Sequence, residues 1–170
     1  MFGDPVRNEK GWDVTSLSEF GSLKNGLNYT KSESGVNVRC LGVGDFKEYS
    51  KLTDMESLQI LSLTSEPNKE YFLKDGDLVF VRSNGNRELG GRCLLVFPKS
   101  NKVTFSGFCI RYRIEKNGLN PVLISHLFRV PTFRNSMLSG GKGANIQNIS
   151  QQTLEKLKIP IPPIELQTQF

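Results

Sequence analysis

The chain is short of cysteine and histidine and has no long apolar run, and each shortage removes a class of function. Its three cysteines, Cys40, Cys93 and Cys109, form no Cys-x-x-Cys pair. Two of them sit in apolar, strand-like runs where a reduced thiol behaves as a small hydrophobe, so a reducing cytoplasm is the expected compartment. His126 is the single histidine. A metal site needs several ligands and there is no Cys/His cluster to supply them, so neither a metal nor another cofactor is expected and His126 is assigned to surface or cap packing. No apolar stretch approaches the roughly 18 residues of a membrane span, and the first twelve residues are too polar for a secretory signal.

What the chain does have is length for one core and a basic balance. A domain of about 150 residues buries roughly 70% of the surface its unfolded chain exposes, so 170 residues suit a single domain. Lys and Arg total 22 against 17 for Asp and Glu, a formal charge of +5. That sign suits a polyanionic partner without identifying one. The opening twelve residues are turn-rich and polar and read as an arm anchored by Trp12. Residues 36–43 and 108–114 alternate with period two; in the second, Phe108, Ile110, Tyr112 and Ile114 share one face and Cys109, Arg111 and Arg113 the other. Paired strand arginines are expected to make a solvated face. Residues 78–81 and 93–97 are nearly continuous apolar runs, as buried strands are.

The later third is helical. Asn120 with Pro121 at the first helical position predicts a helix start, and Leu123, Leu127 and Val130 follow at helical spacing. Pro131 must end that helix, because proline removes a donor and clashes with the carbonyl four residues back. A second short helix is predicted over 132–137 and a third after a Ser150 cap, with Leu154 and Leu157 inward. A strand, a Pro162-Pro163 stop and the start of another helix complete the chain. No internal repeat or low-complexity segment is found.

Three loops carry residues suited to nucleic acid. Residues 82–92 hold Arg82, Arg87 and Arg92 with Ser83, Asn84 and Asn86 among glycines. Arg and Asn are the side chains that pair bidentately with guanine and adenine edges in the major groove. Residues 139–148 combine three glycines with Lys142, Asn145 and Asn148. Glycine lets backbone N–H groups approach a phosphate, and Lys142 adds a charge-assisted contact. Residues 24–35 present Lys24, Asn25, Tyr29 and Lys31, where a tyrosine between lysines suits a sugar-phosphate strand. The bland alternative in each case is a solvated turn.

Catalytic classes fall away by subtraction. The Gly-x-x-x-x-Gly-Lys-[Ser/Thr] order of a phosphate-binding NTPase is absent, and Gly42-Val43-Gly44 is a lone pair of glycines. An adenine methyltransferase needs an Asn-Pro-Pro-aromatic tetrad, and Ile161-Pro162-Pro163-Ile164 lacks both its polar and its aromatic ends. Asp75 and Asp77 flank a turn without the carboxylate-lysine array of a nuclease, and there is no nucleophile elbow. A non-catalytic protein is expected; an unrecognised hydrolase would need a pocket with a perturbed acid or base.

The C-terminal order, Gly143-Ala144-Asn145-Ile146 through Leu154 and Leu157 to Ile159-Pro160-Ile161-Pro162-Pro163-Ile164-Glu165-Leu166-Gln167, resembles the end of a target recognition domain in the specificity subunit of type I restriction-modification enzymes. Gly76-Asp77-Leu78-Val79 with the later Gly85 and Gly91 is similar to another recurrent pattern of those domains. The arm resembles the junction before a second recognition domain, which leaves Met1 open between an internal methionine and a chain boundary. The resemblance implies an α+β fold, with a curved, partly barrel-like sheet and late short helices. Residues 1–160 would be the recognition domain and 161–170 the start of a conserved spacer helix. It further implies a protein that reads one half of a bipartite target in double-stranded DNA. Methyltransferase subunits and a restriction/translocase subunit would supply the chemistry, with dimerisation through the helix in a longer chain. The chain lacks a second recognition domain and both long spacer helices, so an excised domain, a half-subunit and the recognition part of a fused type II methyltransferase-nuclease stay open. A protein-interaction domain that kept the fold is the other class.

Overall fold

The two apolar runs become the centre of the molecule. The computed structural model describes residues 3–30, 35–46, 50–82, 89–139 and 148–169. Among them are ten strands and four short helices: β1 (Asp13–Ser16), β2 (Gly21–Asn25), β3 (Val36–Leu41), β4 (Lys51–Leu52), β5 (Gln59–Leu63), β6 (Asp77–Val81), β7 (Cys93–Val96), β8 (Val103–Phe105), β9 (Cys109–Ile114), α1 (Pro121–Leu127), α2 (Pro131–Ser139), α3 (Gln151–Glu155), β10 (Lys158–Ile161) and α4 (Ile164–Gln167). A five-stranded sheet runs in the order β2-β9-β6-β7-β4, a three-stranded one in the order β5-β3-β8, and β1 pairs with β10. The fold is α+β, and the sheets stay open rather than closing into a barrel.

Period-two alternation gives the large sheet two buried faces, each with its own core. One face carries Leu78, Phe80, Cys93, Leu95, Ile110 and Tyr112 against the late helices, through Ile124, Phe128, Phe133, Met137 and Leu154. Phe128 meets Phe80 edge-on at 4.7 Å and Phe133 at 5.3 Å, the geometry in which a ring edge meets a partner's face. The other face turns Val79, Val81, Leu94, Val96 and Cys109 toward Leu41, Phe46, Val103 and Phe105. A smaller cluster of Val38, Cys40, Leu61 and Leu63 joins β3 to β5, with Tyr29 packed against it.

The local helix signals act as expected. The Asn120 carboxamide oxygen accepts from the Val122 N–H at 2.9 Å, and Ser150 Oγ accepts from the Thr153 N–H at 3.1 Å. Each satisfies one of the orphan donors of a first helical turn. Pro131 starts α2 as well as stopping α1, since its fixed φ suits a first helical position.

The β9 arginines overturn the expected solvated face. Arg111 is 5% exposed. Arg113 grips Asp77 through Nε at 2.8 Å and Nη2 at 2.7 Å, and Nη2 also donates to the Phe72 carbonyl at 3.0 Å. Period two places them opposite Tyr112, but both faces of this sheet are covered, so the second face is interior too. The Lys74 N–H donates to Asp77 Oδ2 at 2.7 Å, and Gly76 makes the preceding turn at a φ of +85°. Gly76-Asp77 is thus a turn-and-clamp device: only a residue without a Cβ takes that φ easily, and the aspartate that follows locks β6 to β9.

The two ends of the chain meet on the domain. β1 runs antiparallel to β10, and the half-buried Trp12 is held by Asn8, which accepts from its N–H and donates to its carbonyl. Past Pro163, Gln167 is fully buried. Its Nε2 donates to the carbonyls of Pro162 at 2.8 Å and Gly118 at 3.0 Å, while its Oε1 accepts from the Asn120 N–H at 2.8 Å. Asn120 Nδ2 returns a bond to the Gln167 carbonyl at 2.9 Å. A side chain that satisfies three backbone groups explains a glutamine at that spacing after Pro-Pro.

Candidate nucleic-acid interface

The roots of the three candidate loops meet at one place. The loop after β6 is closed by two bonds between Val81 and its far end: Val81 N–H to the Arg92 carbonyl, and Gly91 N–H to the Val81 carbonyl, both at 3.0 Å. The Arg82 N–H donates to the Phe108 carbonyl at 2.8 Å, and the Arg82 carbonyl accepts from Ile149 at 2.9 Å. The Gly107 N–H donates to the Leu27 carbonyl at 2.8 Å, tying in the loop after β2. Backbone bonds from Arg82 therefore reach the β8–β9 turn and the end of the glycine loop, and the turn in turn reaches residue 27.

Glycines permit this approach. A Cβ on Gly26 would stand 2.0 Å from the Ser106 carbonyl oxygen, and one on Gly91, whose φ is +72°, would meet Met137 at 2.7 Å and Ile149 at 2.9 Å. Arg134 of α2, which the sequence did not single out, donates through Nε at 3.2 Å and Nη2 at 2.6 Å to the Gly90 carbonyl. Nothing local in the sequence marks that pairing, because it spans 44 residues.

The expected side chains divide. Arg82 and Asn148 stand together, lining with Asn28, Gly107 and Phe108 an open pocket of about 240 Å³. Arg82 Nη1 makes a long bond of 3.4 Å to the Gly107 carbonyl. Lys24, at the start of its loop, turns elsewhere: its Nζ pairs with Glu70 at 2.9 Å and lies over the Tyr71 ring at 4.4 Å. Asn25 ends β2 opposite Ile110, and Tyr29 packs on the β3–β5 cluster, where burial first and Cys40 second push its phenol up. Arg92 donates to the Phe46 carbonyl at 3.2 Å. Lys31, Ser83, Asn84, Asn86, Arg87, Lys142 and Asn145 lie outside the described residues. Phe108 was expected to share the inward face of Ile110 and Tyr112; it precedes the strand instead and is 61% exposed.

Burial governs the shifted titratable groups of the interior. Burial pushes the Cys40 thiol up to about 12 and the Cys93 and Cys109 thiols higher still. Burial, and then Arg113, pull the Arg111 guanidinium down. Among the described residues no group of three or more His, Cys, Asp or Glu is placed to hold a metal, and no helix is long and apolar enough to cross a membrane. His126 lies exposed on α1, beside the cleft between that helix and the arm.

The family model of the type I restriction modification DNA specificity domain matches residues 9–170. The chain belongs to that specificity-domain family. It is 30% identical over 155 residues to the type I restriction enzyme EcoKI specificity subunit of Escherichia coli K12, and 29% identical over 171 residues to the StySPI specificity subunit of Salmonella potsdam. Those alignments take in 87% and 94% of the chain but 32% and 35% of the relatives, so it spans about a third of their length. The fold is that of solved members. The HsdS subunit of Thermoanaerobacter tengcongensis aligns with a TM-score of 0.60 at 17% identity, over 95% of this chain and 36% of that one. A chain solved in work on complex assembly and conformational transition of the type I R-M system gives 0.61 at 17% identity, over 94% and 36%. In this specificity domain, Gly76-Asp77 and Pro162-Pro163 with Gln167 have the structural roles described above.

Proposed function

We propose that residues 1–160 are a DNA target recognition domain that reads one half of a bipartite duplex site, with residues 161–170 beginning a helix that carries the reading to other subunits. The domain does no chemistry itself. Methyltransferase and restriction/translocase subunits act where it directs them, in the cytoplasm. One observation supports this reading above the others: the three loops rich in Arg, Asn and Lys spring from roots bonded to one another at Leu27, Arg82, Gly107, Phe108 and Ile149. Rigid roots under polar, glycine-rich tips are how a scaffold presents reading side chains. The net charge of +5 suits the partner.

The test is a salt titration of duplex binding. With about four phosphates contacted, log K against log salt should slope near −3.6. A flat titration would remove the DNA reading. In the same assay Lys142→Ala should weaken all sequences alike and reduce the slope by roughly one, because a phosphate contact carries no base information.

A further inference from the structure

The pocket at the meeting of the loop roots has a chemistry that neither the family nor the charge assigns. Among the described residues Phe108 is the most exposed of the large apolar side chains, at 61%. An exposed phenyl on a mobile turn would mean little, but this turn is fixed. The Cys109 N–H donates to the Ser106 carbonyl at 2.8 Å, the Phe108 N–H to Ser106 Oγ at 3.3 Å, and the Phe108 carbonyl accepts from Arg82 at 2.8 Å. Beside it lies Asn28, whose Oδ1 stands 2.0 Å from where a Cβ on Gly107 would be, so the glycine leaves room for the carboxamide against the turn. Asn28 and Asn148 are exposed, and neither carboxamide hydrogen-bonds another described residue. The Arg82 guanidinium completes the wall.

A carboxamide and an apolar ring that line one open pocket suit one ligand. Asn pairs bidentately with N6 and N7 of adenine, and phenylalanine packs on the 5-methyl group of thymine, which lie together in the major groove of a single A·T pair. A phosphate would instead want converging N–H groups and cations, and among the described residues that line the pocket there is one guanidinium. We propose that Asn28 and Phe108 together read one A·T pair, Asn28 on adenine and Phe108 on the thymine methyl, with Arg82 holding the flanking backbone. This rests on the DNA reading above and adds the base pair and the two residues that specify it.

The experiment uses the 170-residue chain and duplexes selected from a random library, with binding followed by fluorescence anisotropy. Each thymine of the selected site is replaced by deoxyuridine, which lacks only the methyl, and each adenine by 7-deazaadenine, which lacks N7. At one A·T pair, deoxyuridine should weaken the native protein about fourfold, the worth of one buried methyl-sized group. Deazaadenine at that pair should weaken it by roughly 5- to 150-fold. Phe108→Ala should lose the first penalty and keep the second; Asn28→Ala should do the reverse. Both residues are exposed, so the variants should unfold at the native midpoint, and the analogue series on the native protein stands without them. Selective, salt-dependent binding in which no A·T pair shows both penalties, or in which they persist in the variants, overturns the pocket assignment alone. Binding without any sequence preference or salt dependence overturns the DNA reading and the pocket with it.

Discussion

Asp77 is 1% exposed, and every oxygen lone pair it commits goes to Arg113 or to the Lys74 N–H. A buried pair of this kind contributes little relative to an apolar substitute, but removing one partner leaves a charge in the interior. Asp77→Ala should therefore cost about 3–5 kcal/mol in chemical unfolding, with Arg111 already beside the orphaned Arg113. A loss below 1 kcal/mol would mean that Arg113 finds water. The cysteines give a second residue-scale test. Their folded pKa values lie above the ordinary value of 9.0, reaching about 12 at Cys40, so the native state holds protons that the unfolded chain releases. Their contribution to stability is full below about pH 9 and is lost as pH rises toward 12. Native protein at pH 8 should resist thiol labelling at all three positions and react fully once unfolded; rapid labelling of the native protein would refute the burial of these thiols.

At the scale of elements, what could be read from the sequence was what is decided locally. Asn120 and Ser150 set helix starts through bonds within three residues, and Pro131 opens α2, while α1, expected to carry Val130, ends at Leu127. The apolar runs of β6 and β7 were legible because burial on both faces leaves no polar alternation. β1, β2, β4, β5 and β8 gave no comparable signal. β4 has two residues, and β1 exists by pairing with β10 some 145 positions away, Asp13 opposite Ile161 and Ser16 opposite Lys158. The Gln167 clasp is of the same long-range kind: its four bonds join the last residue of α4 to residues 118 and 120 as well as to Pro162. Gln167→Ala should leave those backbone groups unsatisfied at about 1–3 kcal/mol and speed amide exchange at Asn120, whose N–H loses its acceptor. The α1 cap through Val122 should survive. Unchanged exchange at Asn120 would show that α4 is held by something other than this glutamine.

At the scale of the whole molecule, the composition of the loops pointed to where recognition could occur but not to which side chains share a pocket. Arg, Asn and Gly in residues 82–92 and 139–148 mark polar loops wherever they stand. The meeting of Asn28, Arg82, Phe108 and Asn148 is made by backbone bonds across residues 27, 82, 107, 108 and 149, and no local pattern encodes it. Those bonds lie in a frame continuous with both cores, so any reading by residues 83–88 and the folding of the domain should be separable. Replacing residues 83–88 by six Gly and Ser residues keeps the loop length, and with it the closure entropy, and leaves the Val81–Arg92 closing pair in place. The thermal midpoint should then move by less than about 4 °C, the equivalent of roughly 1 kcal/mol in a domain of this size. If Asn86 and Arg87 read bases, selection from a random library should meanwhile lose preference at one or two positions. Gly91→Ala is the converse change, because at a φ of +72° its Cβ would press on Met137 and Ile149 and disturb the root itself. It should lower the midpoint more than the six-residue replacement does, while its residual folded fraction keeps the native preference. A replacement that collapses the midpoint would tie residues 83–88 to folding, and one that still selects every base of the native sequence would leave all base reading to other residues, those of the root pocket among them.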